Sequence, residues 1–142
     1  MTLLSDVKTL LEDNWNDANT NNRTPQISNI FDVKRVDLGA NLKDFIFLRE
    51  LTRMQEDNGS GALNKRITTI VVIDIRTMYS YDHLILMRNE VERILNNAQI
   101  DPFGNQEYEI SDITDEKDLS DKFVKLYRYE INIKFQQLNV SV

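Results

Sequence analysis

The segment RITTIVVIDIRT at residues 66–77 is followed by a helical segment at residues 80–98 and, later, by FVKLYRYEINIKFQQ at residues 123–137. The first and last segments alternate apolar and polar residues with the period of two that is typical of β-strands, whereas the middle one repeats at helical spacing. An ordinary strand has about 5–6 residues, so both predicted strands are roughly twice the usual length. We expect the excess to form sheet that is shared with other subunits.

The N-terminal half predicts one more helix and two more strands. Apolar residues recur at helical spacing over residues 3–16, where Thr2 is a candidate N-cap, and residues 17–26 have the composition of a polar loop. The alternation in FDVKRVDL, residues 31–38, predicts a short strand. The segment DFIFLRELTR, residues 44–53, predicts a strand that is covered on both faces where it starts.

A short strand predicted at residues 107–113 completes the order α-β-β-β-α-β-β. The length of 142 residues is typical of one domain. The last predicted strand has one apolar and one polar face, as in a sheet covered on a single side. We therefore expect an α+β fold, one domain over residues 1–142, with two helices packed on one face of an antiparallel or mixed sheet of four to five strands.

The net charge of −6 is concentrated in one segment. Residues 101–121 hold eight acids and one base, a charge of −7, which leaves 15 acids and 16 bases, a charge of +1, in the rest of the chain. Two readings stay open: a solvated loop, or an anionic surface that repels DNA or pairs with a basic neighbour. No apolar run approaches the roughly 20 residues that span a bilayer, and the N-terminus is acidic where a signal peptide is basic. We expect a soluble, unprocessed protein.

The sequence offers little to catalysis. It contains no cysteine, and its one histidine, His83, has no second histidine to share a zinc ion, so a role in packing or at the helix surface is expected. No phosphate-binding glycine motif is present. One enzymatic alternative is a metal-dependent nuclease, in which Glu50 on one strand accompanies Asp74 and Arg76 on the next. Arginine replaces the usual lysine there and cannot release its proton. We expect no catalytic, cofactor-binding or metal-binding residue, and no cofactor.

The predicted hairpin loop at residues 54–65, MQEDNGSGALNK, has glycines among polar residues. It is either a mobile tip or an arm that becomes ordered on contact with a partner. Asp74 and Arg76 are neighbours on one strand face, where an ion pair is expected. The candidate interaction residues are Arg49, Arg53, Gln55, Glu56, Asp57, Asn58, Gly59, Ser60, Gly61, Asn64, Lys65, Asp74 and Arg76.

Several segments together resemble a known family. They are SDVKTLLEDNW, FDVKRVDL, DFIFLRE, VVIDIRT, DHLILMRNEVERIL and YRYEINIKF, in this order. The plan resembles that of the tail-terminator (tail-completion) and related head–tail connector neck proteins of long-tailed bacteriophages and tailed archaeal viruses. The likeness is one of pattern and order, and it covers about residues 3–137.

The resemblance implies a structural virion protein without catalysis. Members form homo-oligomeric rings, typically hexamers, that end tail-tube growth at the head-proximal end of the tail. The implied partners are further copies of the chain, the tail-tube protein and the head-connector or neck proteins, and viral DNA passes through the ring without sequence-specific binding. No membrane is involved. A neighbouring neck or head-completion role, the nuclease, and a cellular α+β adaptor that binds a peptide at a sheet edge remain the alternatives.

Overall fold

The computed structural model describes residues 2–29, 44–57, 64–104, 107–121, 123 and 125–141. In chain order its elements are α1 (Leu3–Asn14), a 3-10 turn (Asp17–Thr20), β1 (Gln26–Ser28), β2 (Phe45–Asp57), β3 (Asn64–Thr77), α2 (Tyr81–Asn97), β4 (Tyr108–Asp118) and β5 (Tyr127–Ser141). The predicted α+β class and the order α-β-β-β-α-β-β are confirmed.

The described strands form one five-stranded sheet in the order β1-β2-β3-β5-β4. β1 pairs with β2 in parallel, and all other neighbours are antiparallel, so the sheet is mixed. Both helices pack on the same face of this sheet, as predicted. No helix in the described part of the chain is long and apolar enough to span a bilayer.

The main core lies between that face and the helices. Its members come from alternate positions of the strands and from every third or fourth position of the helices, as the two periodicities require. Fully burying each large apolar side chain contributes about 1.5–3 kcal/mol. Central members include Leu48, Val71, Ile73, Ile75, Ile131, Ile133 and Phe135 of the sheet, and Val7, Leu11, Leu84, Met87, Val91 and Leu95 of the helices.

Both helices begin at a capping side chain. The Thr2 hydroxyl accepts from the Ser5 N–H at 3.2 Å, and the Ser80 hydroxyl accepts from the His83 N–H at 3.0 Å. Such caps stabilise a helix by about 1 kcal/mol. The helices predicted at residues 3–16 and 80–98 are confirmed to within one or two residues at each end.

The first strand differs from the prediction. The strand expected within residues 31–38 lies outside the described residues, and the first described strand is β1, which begins at the end of the predicted polar loop. The Gln26 N–H donates to the Asp44 carbonyl at 2.8 Å, and β1 continues from there in parallel with β2. A strand of three residues is too short to show an alternation of apolar and polar side chains. Its position is set by backbone pairing with β2.

Four further strand boundaries also differ from the prediction. The hairpin strands run to Asp57 and from Asn64, inside the predicted loop, and residues 58–63 lie outside the described part. β4 extends to Asp118 rather than ending near residue 113. β5 begins at Tyr127, and Phe123, the predicted first strand residue, precedes it. Acidic residues have low β-propensity, but pairing of Lys117 and Asp118 with β5 overrides it.

Candidate interaction surfaces and buried polar clusters

A chain of alternating charges crosses the sheet on the face opposite the helices. Asp74 accepts from Arg76 at 3.3 and 2.9 Å and from Arg128 at 3.1 and 3.0 Å. Arg128 also donates to Glu130 at 3.0 Å, and Arg49 donates to the same Glu130 oxygen at 3.2 Å. The predicted Asp74–Arg76 pair is confirmed. It belongs to a network that links β2, β3 and β5.

This network leaves no position for a metal ion on Asp74. The Asp74 side chain is 1% exposed, and both of its oxygens already accept from two guanidinium groups. Glu50 pairs with Val71, whose side chain is in the core, so Glu50 and Asp74 lie on opposite faces of the sheet. The acid pair of the nuclease alternative is therefore not assembled. Across the described ranges, no group of three or more histidines and acids is placed to hold a metal.

The start of β2 is covered on both faces, as predicted. Ile46 and Leu48 are in the main core, while Phe45 and Phe47 are buried on the other face with their rings stacked at 5.9 Å. The Arg76 guanidinium lies 5.2 Å from the centre of the Phe47 ring. Arg76 is therefore held by a carboxylate and an aromatic ring together.

A second cluster surrounds His83 at the start of α2. Its Nε2 lies 2.6 Å from Asp44 Oδ2, and its Nδ1 lies 3.0 Å from the Asn21 side-chain nitrogen. Arg23 donates to both Asp44 oxygens at 2.9 and 3.1 Å, and the Thr77 hydroxyl donates to Asp44 at 2.7 Å. Burial raises the pKa of Asp44, but the hydrogen bonds from His83, Arg23 and Thr77 outweigh it and lower the pKa to about 2.

The geometry assigns His83 a structural role. An amide nitrogen only donates, so Nδ1 accepts a hydrogen bond from Asn21. Nε2 therefore carries the ring proton and donates a hydrogen bond to Asp44. The ring is fully buried, and no hydroxyl hydrogen-bonds to it in the described part of the chain. The pair therefore joins the start of β2 to the start of α2. The sequence predicts a role in packing or at the helix surface for His83, but it carries no signal for Asp44 as the partner.

A third cluster holds the turn after α1 against α2. The Glu90 carboxylate accepts from the Asn16 N–H at 2.6 Å, from the Asn19 amide at 3.0 Å and from Arg93 at 2.6 and 2.9 Å. Burial raises the pKa of Glu90, but these donors lower it below its usual value. Nearby, Trp15 packs on the core and donates to Thr20 at 3.2 Å, as expected of a packing residue.

A pair of carboxyl groups joins α2 to β4. Burial, the hydrogen bond between Glu92 and Glu116, and the charge of Glu116 raise the pKa of Glu92 to about 7, although Arg88 opposes this. Two carboxyl groups in contact cannot both ionise without repulsion. The Glu92–Glu116 contact therefore holds a proton near neutral pH.

The central strands continue beyond the main core. They are 13, 14 and 15 residues long, and residues 50–57 of β2, 64–70 of β3 and 136–141 of β5 lie beyond that core. Among the side chains described in these segments, at residues 50–54, 67–70, 136 and 137, none belongs to the main core cluster. These three segments, which we call the β-arm, remain paired as far as Asp57 with Lys65 and Asn64 with Ser141. Leu51 and Met54 are 52% and 44% exposed on it.

Most of the predicted interaction residues lie on the β-arm or at its base. Arg53 is exposed on the β-arm, and Arg49 is at its base, whereas Asp74 and Arg76 are buried in the isolated chain. The backbones of Gln55, Glu56, Asp57, Asn64 and Lys65 form its far end. Asn58, Gly59, Ser60 and Gly61 lie outside the described residues.

The most exposed aromatic side chain in the described part of the chain is at the turn between β4 and β5, which the predicted interaction residues did not include. Asp121 and Leu126 exchange backbone hydrogen bonds of 2.7 and 3.0 Å, and the Phe123 N–H donates to the Asp121 side chain at 3.1 Å. The Phe123 side chain is 97% exposed. The available signal was the apolar pair of residues 123 and 124 between two lysines.

Known protein-family models and curated proteins were compared with the chain, and neither comparison finds a match.

Proposed function

We propose that this protein is a structural ring component of a viral tail, of the tail-terminator or head–tail connector type. In this role, copies of the chain form a ring, typically a hexamer, at the head-proximal end of the tail. The ring ends growth of the tail tube and joins it to the connector proteins around the DNA channel. The resemblance of the sequence segments provides the class, and the β-arm is the structural observation that best supports it.

The β-arm favours assembly because ordering it in an isolated subunit costs free energy that few apolar contacts offset. Fixing the backbone costs about 1–2 kcal/mol per residue, while a net hydrogen bond contributes only about 1 kcal/mol. Residues 67–69 of the arm are buried, but they lie outside the main core, and the arm exposes Leu51 and Met54 beside Arg53. Burial of this surface against a neighbouring subunit supplies the missing apolar contact.

The acidic segment is compatible with a channel that DNA traverses. Asp112, Glu116 and Asp118 of β4 are exposed, within a segment whose charge is −7. Anionic walls repel phosphate and therefore let DNA slide without holding it. This is the second of the two readings of the acidic segment given above.

The first test is the mass of the purified protein, alone and mixed with tail tubes, by light scattering and electron microscopy. A closed ring, or one ring at one end of each tube, is expected. A monomer at all concentrations that does not bind tubes would contradict the proposal. Magnesium-dependent DNA cleavage would instead favour the nuclease alternative.

A variant pair tests the role of the β-arm. Leu51→Asp places a charge on the exposed apolar surface and is expected to reduce the assembled fraction at least tenfold while the monomer stays folded. Asn89→Asp, which places the same charge at an exposed position of α2, is the control and leaves assembly unchanged. Equal assembly of Leu51→Asp and the unmodified protein would exclude the arm as a subunit contact.

A further inference from the structure

Two complementary surface features lie far apart along β5. One is the tip between β4 and β5, where exposed Phe123 and Lys125 project from a turn closed by Asp121 and Leu126. Lys125 has a positive φ of 56°, in a turn held by backbone hydrogen bonds. An aromatic ring with 97% of its surface in water is a large apolar area without a contact.

The other feature is a surface cleft between α1 and the turn that follows α2. Leu10, Pro102 and Phe103 provide its apolar lining, and Asp6 and Asp13 lie on the same side of α1. Its volume is about 240 Å³, and a cavity of about 150 Å³ is enough for a benzene ring. Within the described part of the chain, neither carboxylate accepts a side-chain hydrogen bond or pairs with a base.

The charges of the two regions are opposite in the sequence as a whole. Residues 1–17, which include α1, hold four acids and one base, whereas residues 122–125 of the tip hold two bases and no acid. Asp121 is the acid nearest the tip, and its side chain accepts from the Phe123 N–H. The tip therefore offers an aromatic ring beside lysine, and the cleft offers apolar side chains beside two carboxylates, so the two surfaces are complementary.

One chain cannot join its own tip to its own cleft. Phe103 stacks on Phe135 at 5.6 Å, so the cleft lies beside that position of β5. The tip precedes Tyr127, and a rise of about 3.3 Å per residue places Phe135 roughly 26 Å further along the strand. Any contact between tip and cleft must therefore form between two copies.

We propose that the Phe123 tip of one copy inserts into the α1–Phe103 cleft of the next copy. The contact joins two different surfaces, so it is head-to-tail, and repetition of such a contact produces either a closed ring or an open filament. It rests on the proposed ring function and specifies which two surfaces meet. Phe123 fills the apolar part, and Lys125 pairs with Asp13 at the rim.

Disulfide trapping is a direct test because the chain contains no cysteine. Phe123→Cys protein mixed with tagged Asp13→Cys protein is expected to give a mixed dimer on mild oxidation, and the double variant a ladder of covalent multimers. Glu12→Cys is the matched control, since it is exposed on the same helix but does not line the cleft. Equal cross-linking at positions 12 and 13, or none at position 13, would overturn the contact.

Charge exchange provides a second readout. Lys125→Glu and Asp13→Lys are each expected to weaken assembly at least tenfold, and their combination to restore it within about threefold. Rings that form normally in both single variants, with no cross-link, would refute this contact and leave the ring function standing. If the unmodified chain forms no ring and caps no tube, the ring function fails. In that case the disulfide experiment still tests the contact, because oxidation also traps complexes that form only transiently.

Discussion

His83 Nε2 lies 2.6 Å from Asp44 Oδ2, and both side chains are essentially excluded from water. The two residues come from the starts of α2 and β2, which are separated by 39 positions in the chain but meet in the fold. A buried carboxylate is tolerated only when donors surround it, and Arg23 and Thr77 provide the others. The pair therefore fixes how α2 begins relative to the sheet.

Asp44→Asn is expected to destabilise the protein by roughly 3 kcal/mol, because it leaves Arg23 and His83 without a charged acceptor in a buried site. Chemical denaturation at pH 7 measures this change. Asp17→Asn, another acid near the same turn, serves as the control, and its effect should be well below 1 kcal/mol. Equal stability of Asp44→Asn and the unmodified protein would show that the cluster contributes nothing.

The same carboxylate predicts an acid limb in the stability curve. The pKa of Asp44 is about 2 in the folded protein and 3.8 in its ordinary state, so its stabilising effect is complete above about pH 4. That effect is lost as the pH falls from about 4 towards 2, since the unfolded chain then binds the proton first. Between pH 2 and 5, the free energy of unfolding should change less with pH for Asp44→Asn than for the unmodified protein. Denaturation series at several pH values in this range measure it.

Asp74→Asn should also cost about 3–5 kcal/mol, because two guanidinium groups lose the buried carboxylate that they share on the face opposite the helices. Glu130→Gln, at the more exposed part of the same network, should cost only about 1 kcal/mol. Thermal unfolding of the two variants measures how much stability each one loses. The nuclease alternative instead predicts that Asp74→Asn removes DNA cleavage, so an active unmodified enzyme would contradict our reading.

Replacing each of two glutamates on α2 by glutamine should change the free energy of unfolding in opposite directions. Glu92 has a pKa of about 7 when folded against an ordinary 4.5, so the folded protein holds the proton more tightly and loses stability as the pH rises from about 4.5 to 7. Glu92→Gln removes that loss and should stabilise the protein at pH 8 by about 1 kcal/mol, a discounted figure because the pair is partly solvated. Little difference is expected at pH 4.5.

Glu90→Gln should destabilise by about 2 kcal/mol at neutral pH, since the buried carboxylate accepts charge-assisted hydrogen bonds from Arg93 and the loop after α1. Urea denaturation of both glutamate variants at pH 8 provides an internal comparison. Effects of the same sign at positions 90 and 92 would refute the assignment of their environments.

Phe123→Ala should leave the stability of the monomer within about 0.5 kcal/mol, because the ring is exposed and buries almost no surface in the isolated chain. Urea denaturation at a concentration where the protein is monomeric is the measurement. A loss above 2 kcal/mol would mean that Phe123 packs within its own subunit, contrary to the structure.

The fold class could be predicted because its evidence is local. The alternation in β3 and β5, the helical spacing in α1 and α2, and the capping residues Thr2 and Ser80 each act over a few positions. The Asp74–Arg76 pair could be predicted for the same reason, since the two residues share a strand face. The contact of Arg128 with Asp74 could not be predicted, because β5 is next to β3 in the sheet but 54 positions away in the sequence.

By itself, the sequence determined which segments become helices and strands and which of their faces are apolar, since periodicity is written in neighbouring residues. Only the tertiary structure decided that β1 pairs with β2, that β4 extends to Asp118, and that Asp44 meets His83. It also separated the Phe123 tip from the α1–Phe103 cleft along β5. The physical reason is that backbone pairing and buried hydrogen bonds join residues far apart in the chain, and these partners leave no periodic signal in the sequence.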